Sequence, residues 1–220
     1  HVKSSLIFKY FYIILNILSL YCNDVSDSFF SNEINNKFID DFSKNTKEQI
    51  NFLSETIDDF RDFFISNKQK VVFEIKSAIE KSLKFMGNQF EMNRVKINIE
   101  YKDEKVYGIE TELEQVILNI LNNSMDAFKE RKIENKEINI KVLSKQSYTI
   151  LIMEDNAGGV KEENLEKLFD PYYTTKSTGT GTGLYMVKLV IKNSFQGDLK
   201  INNSEKGLRY IMALPQKEES

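Results

Sequence analysis

Tryptophan is absent from the 220 residues, proline occurs twice, and cysteine and histidine occur once each. A single cysteine, Cys22, excludes an internal disulfide framework and fits a reducing compartment. Free cysteine packs as a small hydrophobe, so Cys22 reads as an ordinary helix-end residue. A basic excess is also missing: 30 Lys and Arg stand against 33 Asp and Glu, for a net charge of −3. A nucleic-acid-binding domain would show the opposite balance. No apolar run reaches the roughly 20 residues of a membrane span. The nearest, "LIFKYFYIILNILSLY" over residues 6–21, is shorter, contains Lys9 and Asn16, and lacks a signal-peptide cleavage site. It is read as a bundle helix, with a membrane segment as the alternative. Glycine is scarce at nine residues, yet Gly179, Gly181 and Gly183 fall within five positions.

What is present suffices for one large domain, or one domain and a smaller module, with 41% hydrophobic residues to fill a core. The chain starts at His1 rather than Met, and the expectation is a fragment or processed product. Residues 32–64 read as one long helix, because Ile50, Leu53, Ile57, Phe60 and Phe64 step by 3, 4, 3 and 4. With the helix-like run before it and the turn-rich "CNDVSDS" between, residues 1–67 form a predicted helical hairpin. A hairpin alone has a thin core, so a dimeric four-helix bundle is its natural completion. From residue 68 to 216 the pattern changes to short strands interleaved with helices. "VVFEI", "RVKINIEY", "KVYGI", "EINIKVL" and "YTILIMED" read as strands, and two more are expected near residues 198–202 and 208–214. Helices are expected over 76–87, from Thr111 through "TELEQVILNILNNSMDAFKER", and over 184–194, with Thr111 and Glu114 spaced as a capping box. The fold class is α+β, a two-layer sandwich, and residues 217–220 are a frayed tail.

Four local features carry chemistry. In "NILNNSMDAF", Asn119, Asn123 and Asp126 share one helix face, although helix interiors disfavour Asn. Such amide oxygens suit Mg²⁺, which keeps waters and binds with substrate phosphates. An Asn-rich exposed face is the competing reading. In "LIMEDNAGGV" an apolar strand ends at Asp155 and breaks at Gly158 and Gly159, where backbone can approach a flat ligand. A plain acidic turn competes with that reading. "LFDPYYTTK" is an aromatic loop of lid type ending in Lys176, a candidate phosphate contact. "GTGTGLYM" offers backbone N–H groups as an anion nest at a helix start. It lacks the Gly-Lys-Ser/Thr ending of the Walker motif, and the segment before it is a loop, unlike the dinucleotide fingerprint.

In that order the four motifs resemble the N box, first glycine box, F box and second glycine box of sensor histidine kinases. Their ATP-binding domain is shared with gyrase, MutL and a heat-shock chaperone. The resemblance spans about residues 71–215, and "GLRYIMALP" resembles the closing strand. "SETIDDFRDFF" resembles the second helix of the dimerisation and phosphotransfer hairpin. The resemblance implies ATP and Mg²⁺ as cofactors, with Asn123 as the Mg²⁺ ligand. Asn119 stands where gyrase-type relatives place a water-activating Glu. Asp155 would hold the adenine amine and Gly159 would line the adenine pocket. Lys176, Gly179, Gly181, Gly183 and Leu184 would cover the phosphates, and Asp126 would support the site. The implied reaction is γ-phosphoryl transfer to a histidine, then to an aspartate of a response-regulator receiver domain. Positioning and charge neutralisation dominate such transfer. The only histidine, His1, lies about one helix length before the hairpin turn and is the candidate acceptor, although neither an acidic residue nor Pro follows it. A non-enzymatic reading, an ATP-binding dimerisation or scaffold module, stands beside this one. The implied partners are a second copy and the receiver domain, and the implied location is the cytoplasm, with any membrane anchor upstream.

Overall fold

The computed structural model describes residues 25, 35, 37–44, 46, 47, 50, 69–171, 173, 174 and 181–217. The chain divides into two compact units, His1–Ser66 and Asn67–Ser220. In the first, residues 37–44 are helical. The Asn35 side chain accepts the Phe38 N–H at 2.9 Å, an N-cap that satisfies one orphan donor. The Phe38 and Phe42 rings stack one turn apart with centroids 6.2 Å apart. The remainder of the expected hairpin, with residues 6–21 and its bundle pairing, lies outside the described residues. Among the described residues no helix is long and apolar enough to cross a membrane.

The second unit holds β1 (Val71–Glu74), α1 (Ile75–Asn93), β2 (Lys96–Glu100), β3 (Lys105–Gly108), α2 (Glu110–Glu130), β4 (Glu137–Lys145), β5 (Tyr148–Asp155), α3 (Gly183–Leu189), β6 (Asp198–Asn203) and β7 (Leu208–Pro215). Two short 3₁₀ turns, Glu162–Asn164 and Glu166–Phe169, interrupt the long connection after β5. α3 runs on into a π turn over Val190–Ser194. The main sheet has the order β2-β4-β5-β7-β6, with β2 and β4 parallel and the other pairs antiparallel. β1 and β3 form a separate antiparallel pair. This is a mixed sheet with its helices packed on one face.

Period-two patterning decides which face is covered. Ile138, Ile140 and Val142 of β4 sit opposite Asp155, Met153 and Leu151 of β5, and the last two sit opposite Tyr210 and Met212 of β7. All of these are buried. Against them α1 turns Ile75, Ala78, Ile79, Met86 and Phe90, and α2 turns Leu113, Ile117, Ile120, Leu121 and Phe128. The other face, with Glu137, Asn139, Glu154 and Arg209, is only partly covered.

Two local expectations need correction. α1 does not stop at Gly87; it runs to Asn93 and ends where Arg94 turns left-handed at φ 53°. Gly87 does not end the helix, because Met86 and Phe90 bury on either side of it. α2 has no side-chain cap at Thr111: it opens one residue earlier, with Ile109 in the cap position. Glu110 and Glu114 instead face Lys81 of α1, at 2.8 and 3.4 Å, so tertiary pairing takes the carboxylate the capping box needed.

Candidate functional site

Asp155 ends β5 on the helix-facing side and is 4% exposed. Its Oδ1 accepts the backbone N–H of Ala157 at 2.9 Å and of Leu208 at 3.3 Å. Its Oδ2 accepts the hydroxyl of Ser124 at 2.9 Å. Burial pushes its carboxyl above the usual range, opposed by these three hydrogen bonds and by the Arg131 charge. The carboxylate is thus fixed from three sides, and these three bonds leave one lone pair of Oδ2 uncommitted.

The glycine turn after Asp155 is built for close approach. Gly158 and Gly159 have φ of 90° and 64°, where side chains other than glycine are strained. The Gly158 N–H bonds the Lys206 carbonyl at 2.7 Å, and the Arg131 guanidinium holds the Ala157 carbonyl. Asn203 closes on Val160 twice, accepting its N–H at 2.9 Å and donating to its carbonyl at 2.8 Å. A Cβ on Gly159 would stand 2.4 Å from Asn203 Oδ1. Gly207 is tighter still: a Cβ there would lie 2.0 Å from the Asp155 carbonyl oxygen.

On α2, Asn119 and Asn123 are half-buried one turn apart, while Asp126 is exposed. Asn119 Oδ1 lies 3.6 Å from where a Gly183 Cβ would stand, so the Asn face meets the start of α3. Gly181 has φ 65°, and Leu184 is half-buried in the first turn of α3. Lys188 of α3 sits over the Phe169 ring at 5.5 Å, tying the start of the aromatic loop to this helix. Thus Asp155 and Gly159 meet at the end of β5, while Asn119, Gly183 and Leu184 meet where α2 packs on α3. Lys176, Gly179 and His1 lie outside the described residues. Among the described residues no group of three or more His, Cys, Asp or Glu side chains could hold a metal ion. A divalent ion here would rely on amide oxygen, water and phosphate.

Four residues of this arrangement were not singled out from sequence: Ser124, Arg131, Asn203 and Gly207. Ser124 carried a usable signal, since it falls on the buried stripe of Ile117, Ile120 and Phe128 rather than with the asparagines. Gly207 carried a weaker one, as an isolated glycine in a glycine-poor chain. Separately, a polar depression of about 520 Å³ on the open sheet face is lined by Glu137, Asn139, Glu154, Asn156, Lys206 and Arg209. It borders the backbone side of Asp155; within it Arg209 pairs with Glu154, while Glu137 pairs with Lys96 of β2.

Residues 108–218 match the family described as histidine kinase-, DNA gyrase B-, and HSP90-like ATPase. Sporulation kinase B of Bacillus subtilis is 29% identical over 151 residues, covering 67% of this chain and 34% of that protein. Sporulation kinase E of the same organism is 28% identical over 157 residues, covering 69% and 21%. The chain therefore spans about a third or less of these relatives. Among solved structures, the catalytic domain of histidine kinase ThkA shares the fold with a TM-score of 0.61 at 24% identity, covering 68% of this chain and 97% of that one. Histidine kinase ThkA in complex with response regulator protein TrrA matches with a TM-score of 0.62 at 17% identity, covering 97% and 61%.

Proposed function

Because the chain belongs to the histidine kinase-, DNA gyrase B- and HSP90-like ATPase family, we propose that it is the kinase portion of a two-component sensor. It binds ATP, phosphorylates a histidine, and passes the phosphoryl group to an aspartate of a response regulator. The observation that carries this reading is Asp155, a buried carboxylate aimed at one ligand position by Ser124, Ala157 and Leu208. A carboxylate with one open acceptor position is suited to the exocyclic amine of adenine. Gly159, in its left-handed conformation, turns the backbone at the same end of β5, where it would line the adenine pocket.

At the far end of the nucleotide, the half-buried amide oxygens of the α2 asparagines fit a hard cation that retains water. In this reading Asn123 ligates Mg²⁺, which neutralises phosphate charge when bound. Asn119 offers an amide where a carboxylate would be needed to activate water, so hydrolysis is disfavoured over transfer. Asp126 supports this face. The backbone of Gly179, Gly181 and Gly183, the first turn at Leu184, and Lys176 cover the phosphates. A histidine nitrogen attacks the γ-phosphorus, the bond to the β–γ bridging oxygen breaks, and ADP leaves. The phosphohistidine then donates to a receiver carboxylate. His1 is the acceptor within this chain, residues 1–67 are the dimerising hairpin, and residues 68–216 are the ATPase domain. The ThkA complex with a response regulator supports the choice of partner.

Incubation with γ-labelled ATP and Mg²⁺ tests the proposal. The expected product is acid-labile, base-stable label on the wild-type chain, abolished by Asn123→Ala and by His1→Gln. Label that survives His1→Gln moves the acceptor elsewhere. Nucleotide binding with no label at all refutes self-phosphorylation by this chain.

A further inference from the structure

Resting on the adenine-binding reading of Asp155, we propose that Ser124 sets the base selectivity of the pocket by holding Asp155 as a hydrogen-bond acceptor, so that a 6-amino purine is taken and a 6-keto purine is refused. The argument is an accounting of lone pairs and protons. Oδ1 of Asp155 faces two backbone N–H groups, from Ala157 and Leu208, which can only donate. Oδ1 is committed as an acceptor, and any proton on this carboxyl must sit on Oδ2.

Oδ2 faces Ser124, and Ser124 has a choice. Its single hydroxyl proton has two acceptors in reach, Asp155 Oδ2 at 2.9 Å and the Ile120 carbonyl at 3.2 Å. Turned to Oδ2, the hydroxyl stabilises an ionised carboxylate, whose remaining lone pair welcomes only a donor such as an exocyclic amine. Turned to Ile120, it presents a lone pair to Oδ2 and tolerates a protonated carboxyl, which would donate to a keto oxygen. The contact to Oδ2 is the shorter and is charge-assisted, so the first arrangement prevails. Both partners are buried, Ser124 at 3% and Asp155 at 4% exposure, so the contact is little screened by solvent.

The neighbours make the hydroxyl matter. Burial acts on Asp155 toward the neutral form, while Arg131 at the end of α2 acts against it. Tyr210 of β7, itself fully buried, is held neutral by burial and by the Asp155 charge. Without the Ser124 donor, one of the hydrogen bonds opposing burial is lost and the protonated carboxyl gains ground. Sites that read a ligand hydrogen bond with a buried group discriminate strongly, and they lose that discrimination when the group can change roles.

The test measures Kd for Mg-ATP and Mg-ITP by displacement of a fluorescent ATP analogue between pH 6 and 8. The proteins are the full wild-type chain, Ser124→Ala, Ser124→Cys and Ser124→Thr. The ITP-to-ATP Kd ratio is expected to fall by about tenfold or more in Ser124→Ala, the scale of one hydrogen bond to a charged group. Ser124→Cys, which keeps the volume with a weak donor, should follow it, and Ser124→Thr should keep the wild-type ratio. The drop should be larger at the acid end. A ratio unchanged in Ala and Cys while both affinities fall together makes Ser124 a packing residue and overturns the proposal. A wild-type chain that binds ATP and ITP equally overturns it while leaving the nucleotide site standing. A wild-type chain that binds neither overturns both.

Discussion

Replacing Gly207 by Ala should cost the second unit both stability and its ligand. An ideal Cβ at this position would lie 2.0 Å from the Asp155 carbonyl oxygen, 2.5 Å from its Oδ1 and 2.6 Å from its carbonyl carbon. These are mostly main-chain atoms of a central strand, so no side chain can rotate away. Ordinary carbon contact requires the β6–β7 turn to retreat from β5 by roughly 1–1.5 Å. Overpacking of this kind costs about 1–3 kcal/mol. The retreat also stretches Leu208 N–H to Oδ1 at 3.3 Å and Gly158 N–H to the Lys206 carbonyl at 2.7 Å, each about 1 kcal/mol. The expected loss is about 3–5 kcal/mol, a large part of a typical domain stability of about 5–15 kcal/mol. Gly87→Ala is the matched control, because nothing lies within 4 Å of its Cβ position in the helix interior. It should stabilise by about 0.5–1 kcal/mol. Urea unfolding followed by far-UV circular dichroism reads both, and tyrosine fluorescence serves as a second probe in a chain with no tryptophan. Binding of a fluorescent ATP analogue reads the site. A Gly207→Ala protein that loses less than about 1 kcal/mol and binds as wild type would refute the reasoning.

Four further outcomes are expected. Asp155→Asn should abolish nucleotide binding yet leave the apo protein at least as stable at pH 7, because burial disfavours the charged carboxylate. The folded carboxyl is raised above the unfolded 3.8, so wild type should regain ground on the variant as pH falls toward that value, read as converging urea midpoints. Asn203→Ala removes both bonds to Val160 and should destabilise by about 1–2 kcal/mol while loosening the turn after Gly159, read by faster amide exchange at Val160. Thr149→Val deletes the 2.7 Å hydroxyl bond to the Lys105 carbonyl at a fully buried position and should cost about 1–2 kcal/mol in the same unfolding assay. Arg209→Gln breaks the 2.7 Å pair with Glu154 on the open sheet face and should cost under about 1 kcal/mol, less in 1 M salt.

The strands and the α2 core were legible in the sequence because both periodicities are clean: "YTILIMED" alternates through β5, and Leu113, Ile117, Ile120 and Leu121 recur at helical spacing. The sequence pattern predicts one helix over residues 184–194, and the structure divides that stretch into α3 and a π turn with the same apolar face, Met186, Val187, Val190 and Ile191, buried throughout. The capping box failed because Glu114 had a better partner in Lys81, 33 residues back in the chain and invisible to local reasoning. Asp155, Gly158 and Gly159 stood out because a charge and two glycines interrupt an apolar run. The groups that hold them did not. Asn203 is an ordinary residue in its segment, Ser124 and Gly207 carry only the faint signals of a polar residue on a buried stripe and an isolated glycine, and the importance of all three comes from what the fold sets against them.

Those partners have a consequence in time. The bonds that shape Asp155 span 31 residues back to Ser124 and 53 forward to Leu208. Ribosomes deliver β6 and β7 after the other strands and helices of this unit, and domains fold as units as the chain emerges. Until residues 203–208 arrive, a nascent chain can hold its helices and early strands but presents no aimed carboxylate. Capture of a ligand by this pocket would therefore report that β7 has been made, and would add its binding energy only to chains extended past it.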